Sequence, residues 1–340
     1  MNALDLFAGP GGWDVAARGL GIDPLGVEID PAACATRTAA GFRTLQADVA
    51  SLDPRDYDPV GLLVGSPPCP AFSVAGDGGG RRDMELISQC ARNLFRGHDN
   101  RHVVRPKLEE ADSLLVVEPL RYALSLRPRW IVLEQVPPVL GLWKLYARMF
   151  EELGYSAWVG VLEAADYGAP QNRARAILVA DLAAVAQPPA PTHADGGAVT
   201  LEGELAPWVT MEAALGWGMT RQPYPTIASG RKTGGPDKEK VGGSAARASL
   251  YAERRAGRWV DPVGPHPTDA DSIRLKLEEA AVLQGFPADY PWQGTRTEKF
   301  AQIGNAVPPP LAAAILSTVV AASGVHARVN RCRSPRSVAG

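Results

Sequence analysis

Ala3-Leu4-Asp5-Leu6-Phe7-Ala8-Gly9-Pro10-Gly11-Gly12 is the stretch that decides the fold. A short, mainly apolar strand runs into a glycine turn, and a helical pattern through Val15, Ala16 and Leu20 follows. Such a turn lets a ligand approach the backbone, and the helix start points a positive dipole end at it. The next unit, Leu25-Gly26-Val27-Glu28-Ile29-Asp30, is a second strand ending in carboxylates, and a third ends in Gln46-Ala47-Asp48-Val49. Glu28 lies about 20 residues past the glycines, the spacing at which an acid meets ribose hydroxyls in a βαβ nucleotide fold. The turn reads GPGG, not GxGxxG, so a pyrophosphate cradle is not indicated. A nucleoside with a small charged group fits better. S-adenosylmethionine offers an adenosine to Glu28 and Asp48 and has no phosphate to cradle.

Val60-Gly61-Leu62-Leu63-Val64 reads as a buried strand that stops at Gly65-Ser66-Pro67-Pro68-Cys69-Pro70-Ala71-Phe72-Ser73. Two consecutive prolines cannot continue a ladder. Cys69 is therefore held on a stiff turn at the carboxyl end of a strand, where open α/β sheets bind ligands. It reads as a nucleophile; the bland alternative is a buried structural cysteine. The polar, glycine-rich Ser73–Arg82, with Arg81 and Arg82 at its end, reads as a loop able to close over a site. Residues 84–97 look helical, 98–107 are polar and basic, and 111–126 read as one helix with Pro119 near its start or kinking it.

Trp130–Val136 is a further buried strand with Glu134 near its carboxyl end, on the same rim as Cys69 if the two strands are parallel neighbours. A carboxyl ending an apolar strand suits a proton donor; a rim acid capping the next helix is the alternative. A helix over 139–152 and strands near 156–163 and 175–180 follow. Between those strands Gln171, Arg173 and Arg175 alternate onto one face of an extended segment. Two guanidiniums and an amide in a row suit phosphates or a pyrimidine carbonyl.

The 340 residues are 46% hydrophobic with a net charge of −2, so a nucleic-acid contact must come from a local patch. One such patch is residues 219–262, with nine Lys/Arg against four acids and Tyr224, Tyr251 and Trp259 interleaved. Cys34, Cys69, Cys90 and Cys332 form no CxxC pair, which argues against a zinc site or disulfide framework and suits a reducing cytosol. No apolar run reaches the ~18 residues of a membrane span, and no signal peptide is expected. The expected organisation is a catalytic part over 1–187, a recognition region over 188–270 opening at the proline-rich 187–191, a return segment over 271–323 and a basic tail over 324–340.

Taken in order, DLFAGPGG, GVEID, ADV, SPPCPAFS, LEQV, QNRAR, LEEAAVLQGFP and IGNAVPPP resemble the motifs of the DNA cytosine-5 methyltransferases, unpermuted over roughly residues 3–322. Two positions depart from that family: Pro70 stands where it usually has Gln after the Cys, and Gln135 where it usually has Asn after the Glu. The resemblance implies an α/β fold with a doubly wound, mostly parallel, Rossmann-like sheet and a small irregular target-recognition domain across a cleft. It implies that the last helix packs back beside the glycine turn. It implies a donor pocket for S-adenosylmethionine lined by Phe7, Gly9, Gly11, Gly12, Glu28, Ile29, Asp48, Val49, Pro68 and Asn305. Cys69 and Glu134 would act on a flipped-out cytosine, with Arg173 as a positive neighbour for the thiol and Arg175 beside it. Gln171, Ser73, Arg81 and Arg82 would contact the substrate.

The expected partner is double-stranded DNA, with no metal and no membrane. The protein is expected to be a monomer in a bacterial cytoplasm, host- or phage-encoded, with a companion restriction endonuclease left open. The rival readings are the same chemistry on RNA and a catalytically idle DNA-binding regulator of the same fold; intact Cys69 and Glu134 argue against the second.

Overall fold

The structure is a computed structural model that describes residues 1–68, 82–201, 203–215, 223, 226–227, 268–269, 272–273 and 276–323. A seven-stranded sheet has the order β3-β2-β1-β4-β5-β7-β6. Its strands are β1 (Ala3–Leu6), β2 (Leu25–Glu28), β3 (Thr44–Gln46), β4 (Leu62–Gly65), β5 (Trp130–Gln135), β6 (Ser156–Glu163) and β7 (Ala174–Asp181). The first five pair in parallel. β7 runs antiparallel to both β5 and β6. The parallel crossovers are helices α1 (Gly12–Gly19) and α2 (Pro31–Ala39) and the longer excursion between β4 and β5. This is the expected doubly wound α/β sheet.

Period-2 alternation sorts the strand residues onto two buried faces. Leu63, Ile131, Leu133 and Leu178 pack on one side with Ile87, Leu120 and Trp143. Leu62, Val64, Trp130, Val132 and Ile177 pack on the other with Trp13, Leu311 and Ile315.

Between β4 and β5 lie α3 (Met84–Phe95), α4 (Arg101–Val104), a 3-10 stretch Ala111–Val117 and α5 (Glu118–Leu126). The single helix expected over 111–126 is thus two elements. Pro119 sits in the first turn of α5, where a missing N–H breaks no helical bond. α6 (Leu140–Glu152) leads to β6. A small three-stranded sheet follows, β8 (His193–Ala194), β10 (Gly203–Pro207) and β9 (Ala198–Thr200), then α7 (Met211–Leu215) and the two-stranded β11 (Thr268–Asp269) and β12 (Ser272–Ile273).

The chain returns through α8 (Leu277–Gln284), α9 (Arg296–Asn305) and α10 (Pro309–Ser323). α10 packs against α1, as the resemblance implied. The contact is close: a Cβ on Gly12 would stand 2.2 Å from the Val307 carbonyl oxygen. Among the described residues no single helix is long and apolar enough to cross a membrane.

Candidate active site

The carboxyl ends of β1, β2 and β3 build one half of the rim. Phe7 leaves β1 in the left-handed region at φ 60, followed by Gly9 at φ 53 and Gly11 at φ 104. A non-glycine residue there costs about 1–2 kcal/mol, and such strain gathers at functional sites. The glycines serve different ends. A Cβ on Gly11 would press on the Phe42 ring at 2.8 Å, whereas one on Gly9 would meet nothing within 4 Å. Gly11 and Gly12 are needed for packing; Gly9 opens outward.

Glu28 holds this turn. Its Oε2 accepts the Gly9 N–H at 2.8 Å, and its Oε1 accepts the N–H groups of Ile29 and Asp30, each at 2.8 Å. Three of roughly four lone-pair directions are used, and one remains. Asp48 begins a 3-10 turn, with Oδ1 accepting the Ala50 N–H at 2.9 Å. Its other oxygen has no partner among the described residues. Val49 is buried, and its carbonyl accepts from Arg121 at 2.9 Å and from the Tyr122 hydroxyl at 3.1 Å. Ile29 stands 61% exposed beside Glu28. Two fixed carboxylates, an open glycine and an exposed apolar side chain fit a nucleoside.

Beneath the turn lies a charge cluster that no sequence pattern announced. Arg37 donates to both oxygens of Asp14 at 2.7 Å, with both side chains fully buried. Its guanidinium lies where a Cβ on Gly26 would be, 1.9 Å from Nη2. Asp5 is also fully buried, and burial, then the Asp14 charge, pushes its carboxyl well above the usual range.

The other half of the rim joins β4, β5 and β7. The Ser66 N–H reaches the Leu6 carbonyl at 3.2 Å, and the Trp13 indole N–H donates to the Ser66 hydroxyl at 2.9 Å. The Gln135 amide donates to the Pro67 carbonyl at 2.7 Å. The strand end that carries Pro68 is thereby fastened from both neighbours. Cys69, Ser73 and Arg81 lie outside the described residues. The β4–β5 register pairs Gly65 with Leu133, so Glu134 stands on the rim beside Ser66. Glu134 is 7% exposed, and its Oε1 is held by the Arg175 Nε at 2.9 Å.

The row expected from Gln171, Arg173 and Arg175 needs correcting. These side chains do not present a common contact surface; each is buried against the protein itself. Gln171 donates to the Leu283 carbonyl at 3.1 Å and the Gln284 side chain at 2.6 Å, and accepts the Ile227 N–H at 3.1 Å. Its amide thus fastens the return segment. Arg173 donates to the carbonyls of Ile227 at 2.9 Å and Gly304 at 2.7 Å. Arg175 orients Glu134. Those carbonyl and amide partners lie more than fifty residues away, which a local alternation could not reveal.

Asn305 ends α9 with its side chain exposed. Arg82 is exposed and pairs with Glu109 at 2.5 Å. Trp13 and Ser66, whose hydrogen bond joins α1 to the β4 end, were not singled out from sequence. Tryptophan at a helix start carries no such signal. Cys34 and Cys90 are the buried kind of cysteine, and burial pushes both thiols up to about 11.

A mostly parallel sheet with the antiparallel β7 between β5 and β6, a glycine turn and two acidic strand ends is the Rossmann-like fold of the methyltransferase class. Within that class, the model of the C-5 cytosine-specific DNA methylase family matches residues 1–96, 105–193 and 216–321, and the chain belongs to that family. It is 30% identical to the type II methyltransferase M.NaeI of Lentzea aerocolonigenes, over 95% of this chain and 75% of that protein. It is 28% identical to the type II methyltransferase M.NgoMIV of Neisseria gonorrhoeae, over 95% and 98%. The fold is shared with the S. pombe Dnmt2 methyltransferase, with a TM-score of 0.60 at 14% identity over 95% of this chain and 99% of that one.

Proposed function

We propose that the protein is a DNA (cytosine-5)-methyltransferase of the restriction–modification type, acting on duplex DNA through a covalent bond between Cys69 and C6 of a flipped-out cytosine. The observation that carries this reading is the fastening of two strand ends. Gln135 ties β5 to Pro67 at 2.7 Å, so Glu134 and the turn that leads into Cys69 share one rim.

S-adenosylmethionine, when bound, supplies an electrophilic methyl group on a sulfonium. Glu28, Asp48, Ile29 and the open face at Gly9 would hold its adenosine, with Phe7 and Pro68 beside it. The Cys69 thiolate adds to C6, forming the S–C6 bond and moving electron density toward C5 and N3. Arg175 holds one oxygen of Glu134, leaving the other to deliver a proton to N3 and to accept from the exocyclic amine. C5 would then be placed to take the methyl group, with the S–CH3 bond breaking and the sulfonium leaving as the neutral thioether S-adenosylhomocysteine. Loss of the C5 proton to solvent returns the electrons to the ring, the S–C6 bond breaks to regenerate the thiolate, and the N3 proton returns to Glu134. The base must leave the duplex to be reached, at a cost of roughly a few kcal/mol. The Ser73–Arg82 stretch would close over it, and residues 188–270 would read the target.

The test is to incubate the protein with methyl-labelled S-adenosylmethionine and, separately, unmethylated genomic DNA and mixed tRNA, then to analyse the digested nucleosides by mass spectrometry. The expected product is 5-methylcytosine in DNA, absent with Cys69→Ala. Label in tRNA alone would replace DNA by RNA as substrate. Turnover by Cys69→Ala would end the covalent mechanism.

A further inference from the structure

The family match leaves out residues 97–104. These residues belong to an excursion whose foot is closed by Asp83. That buried carboxylate accepts the N–H groups of Glu109 at 3.0 Å and Glu110 at 3.1 Å and faces the Ser113 hydroxyl at 3.3 Å. The far end is fastened as well. Arg101 grips Asp99 at 2.9 and 2.7 Å and also donates to Glu118, a 2% exposed carboxylate that accepts from Arg121 at 2.7 Å. The excursion is therefore anchored on the body and not a free arm.

Beside it lies a cavity of about 380 Å³ lined by Ala50 after β3 and by Arg101, His102, Arg105, Leu114 and Leu115 from between β4 and β5; the Asp99 and Glu118 carboxylates, both gripped by Arg101, line it as well. Its position is informative. The Ala50 N–H is the group that the Asp48 carboxylate accepts. Through Ala50 the cavity adjoins the β3 end of the rim, where Asp48 stands next to Glu28 and the glycine turn in the strand order β3-β2-β1. Its size falls within the range of ligand pockets, about 300–1,000 Å³. Its lining combines leucine and alanine with the imidazole of His102 and the guanidinium of Arg105, flat groups suited to stacking a heterocycle, while the Asp99 and Glu118 carboxylates are already paired with Arg101.

We infer that the excursion carrying His102 and Arg105 is a wall of the donor site, packing against the adenine of S-adenosylmethionine. The inference rests on the donor reading proposed above. His102 and Arg105 are exposed, so replacing them leaves the fold intact. Calorimetric titration with S-adenosylmethionine and S-adenosylhomocysteine, beside DNA binding by anisotropy, tests it. The double variant H102A/R105A is expected to bind both adenosine ligands about tenfold more weakly, the scale of a lost stacking contact. Its DNA affinity and melting temperature should be unchanged, and H102F/R105A should recover part of the loss. A double variant that binds the donor as wild type does overturns the wall, and weakened DNA binding in the same protein would make the excursion a phosphate contact instead. A wild type that binds neither adenosine ligand would overturn the donor reading itself, and the wall with it.

Discussion

The two halves of the rim hold their charges in different ways. At the β1–β3 end Glu28 and Asp48 are half-buried and fixed by backbone N–H groups, most of them within two residues. At the β4–β7 end Glu134 is buried, and its partner Arg175 comes from an antiparallel strand beyond two further elements. The carboxylate bonds of the first arrangement lie within the first three strands, although the glycine turn beside them also packs on Val307 of the return segment. The second needs β7 in place, and around it Arg173 and Gln171 need the return segment near 283–304. The carboxylates of the β1–β3 half are thus held mainly by local bonds, and the β4–β7 half is assembled by the whole fold; the proposed function makes the first the donor half and the second the chemical half.

This difference can be broken or sharpened by substitution. Glu134→Gln keeps shape and one acceptor but removes the transferable proton. It should lower kcat by about 10²–10⁴-fold while leaving S-adenosylhomocysteine affinity unchanged; single-turnover kinetics beside calorimetry would show it. Turnover that survives would place the proton transfer elsewhere. Arg37→Met leaves Asp14 buried without its partner and should cost about 3–5 kcal/mol of stability in urea unfolding. A small loss there would mean that the donor half does not stand on the buried pair beneath it. Glu28→Gln should weaken donor binding about tenfold, the scale of one charge-assisted hydrogen bond, with kcat at saturating donor nearly unchanged. If kcat falls instead, the two halves are not separable.

The smallest expected effect concerns Asp5. Its carboxyl is raised by burial, so the folded protein keeps a proton that the unfolded chain releases. That contribution is fully present below the ordinary carboxyl value near 3.8 and is lost as pH rises toward the raised native value. Asp5→Asn removes the dependence. The melting temperature of the variant should therefore gain on that of wild type as pH rises from about 4 to 8. A constant difference across that interval would contradict a proton held on Asp5.

What the sequence made legible follows the same division. Strands β1–β5 and their acidic ends could be read because each rests on local patterns: an apolar run, a glycine turn, an acid at βα spacing. The Arg173–Arg175 alternation was visible as geometry, but its burial was not, because the carbonyls that hold Arg173 come from Ile227 and Gly304. The break at Pro119 was half legible. The proline marked a helix start, but nothing local showed that 111–117 would tighten into a 3-10 stretch. The Asp5–Asp14–Arg37 cluster was hidden because a buried charge looks, in sequence, like a surface one. Gln135, a departure from the usual family residue, is explained by its bond to Pro67. Pro70 lies outside the described residues.

The most direct test of the central claim is a search for the covalent bond to Cys69. Genomic DNA copied with 5-fluorodeoxycytidine triphosphate offers every short target, and fluorine at C5 blocks the last step by leaving no proton to lose. Incubation with S-adenosylmethionine, followed by denaturing electrophoresis and peptide mass mapping, should give a protein–DNA adduct on the peptide containing Cys69. An adduct at another residue, or normal DNA methylated while the fluorinated DNA leaves no adduct, would contradict the account.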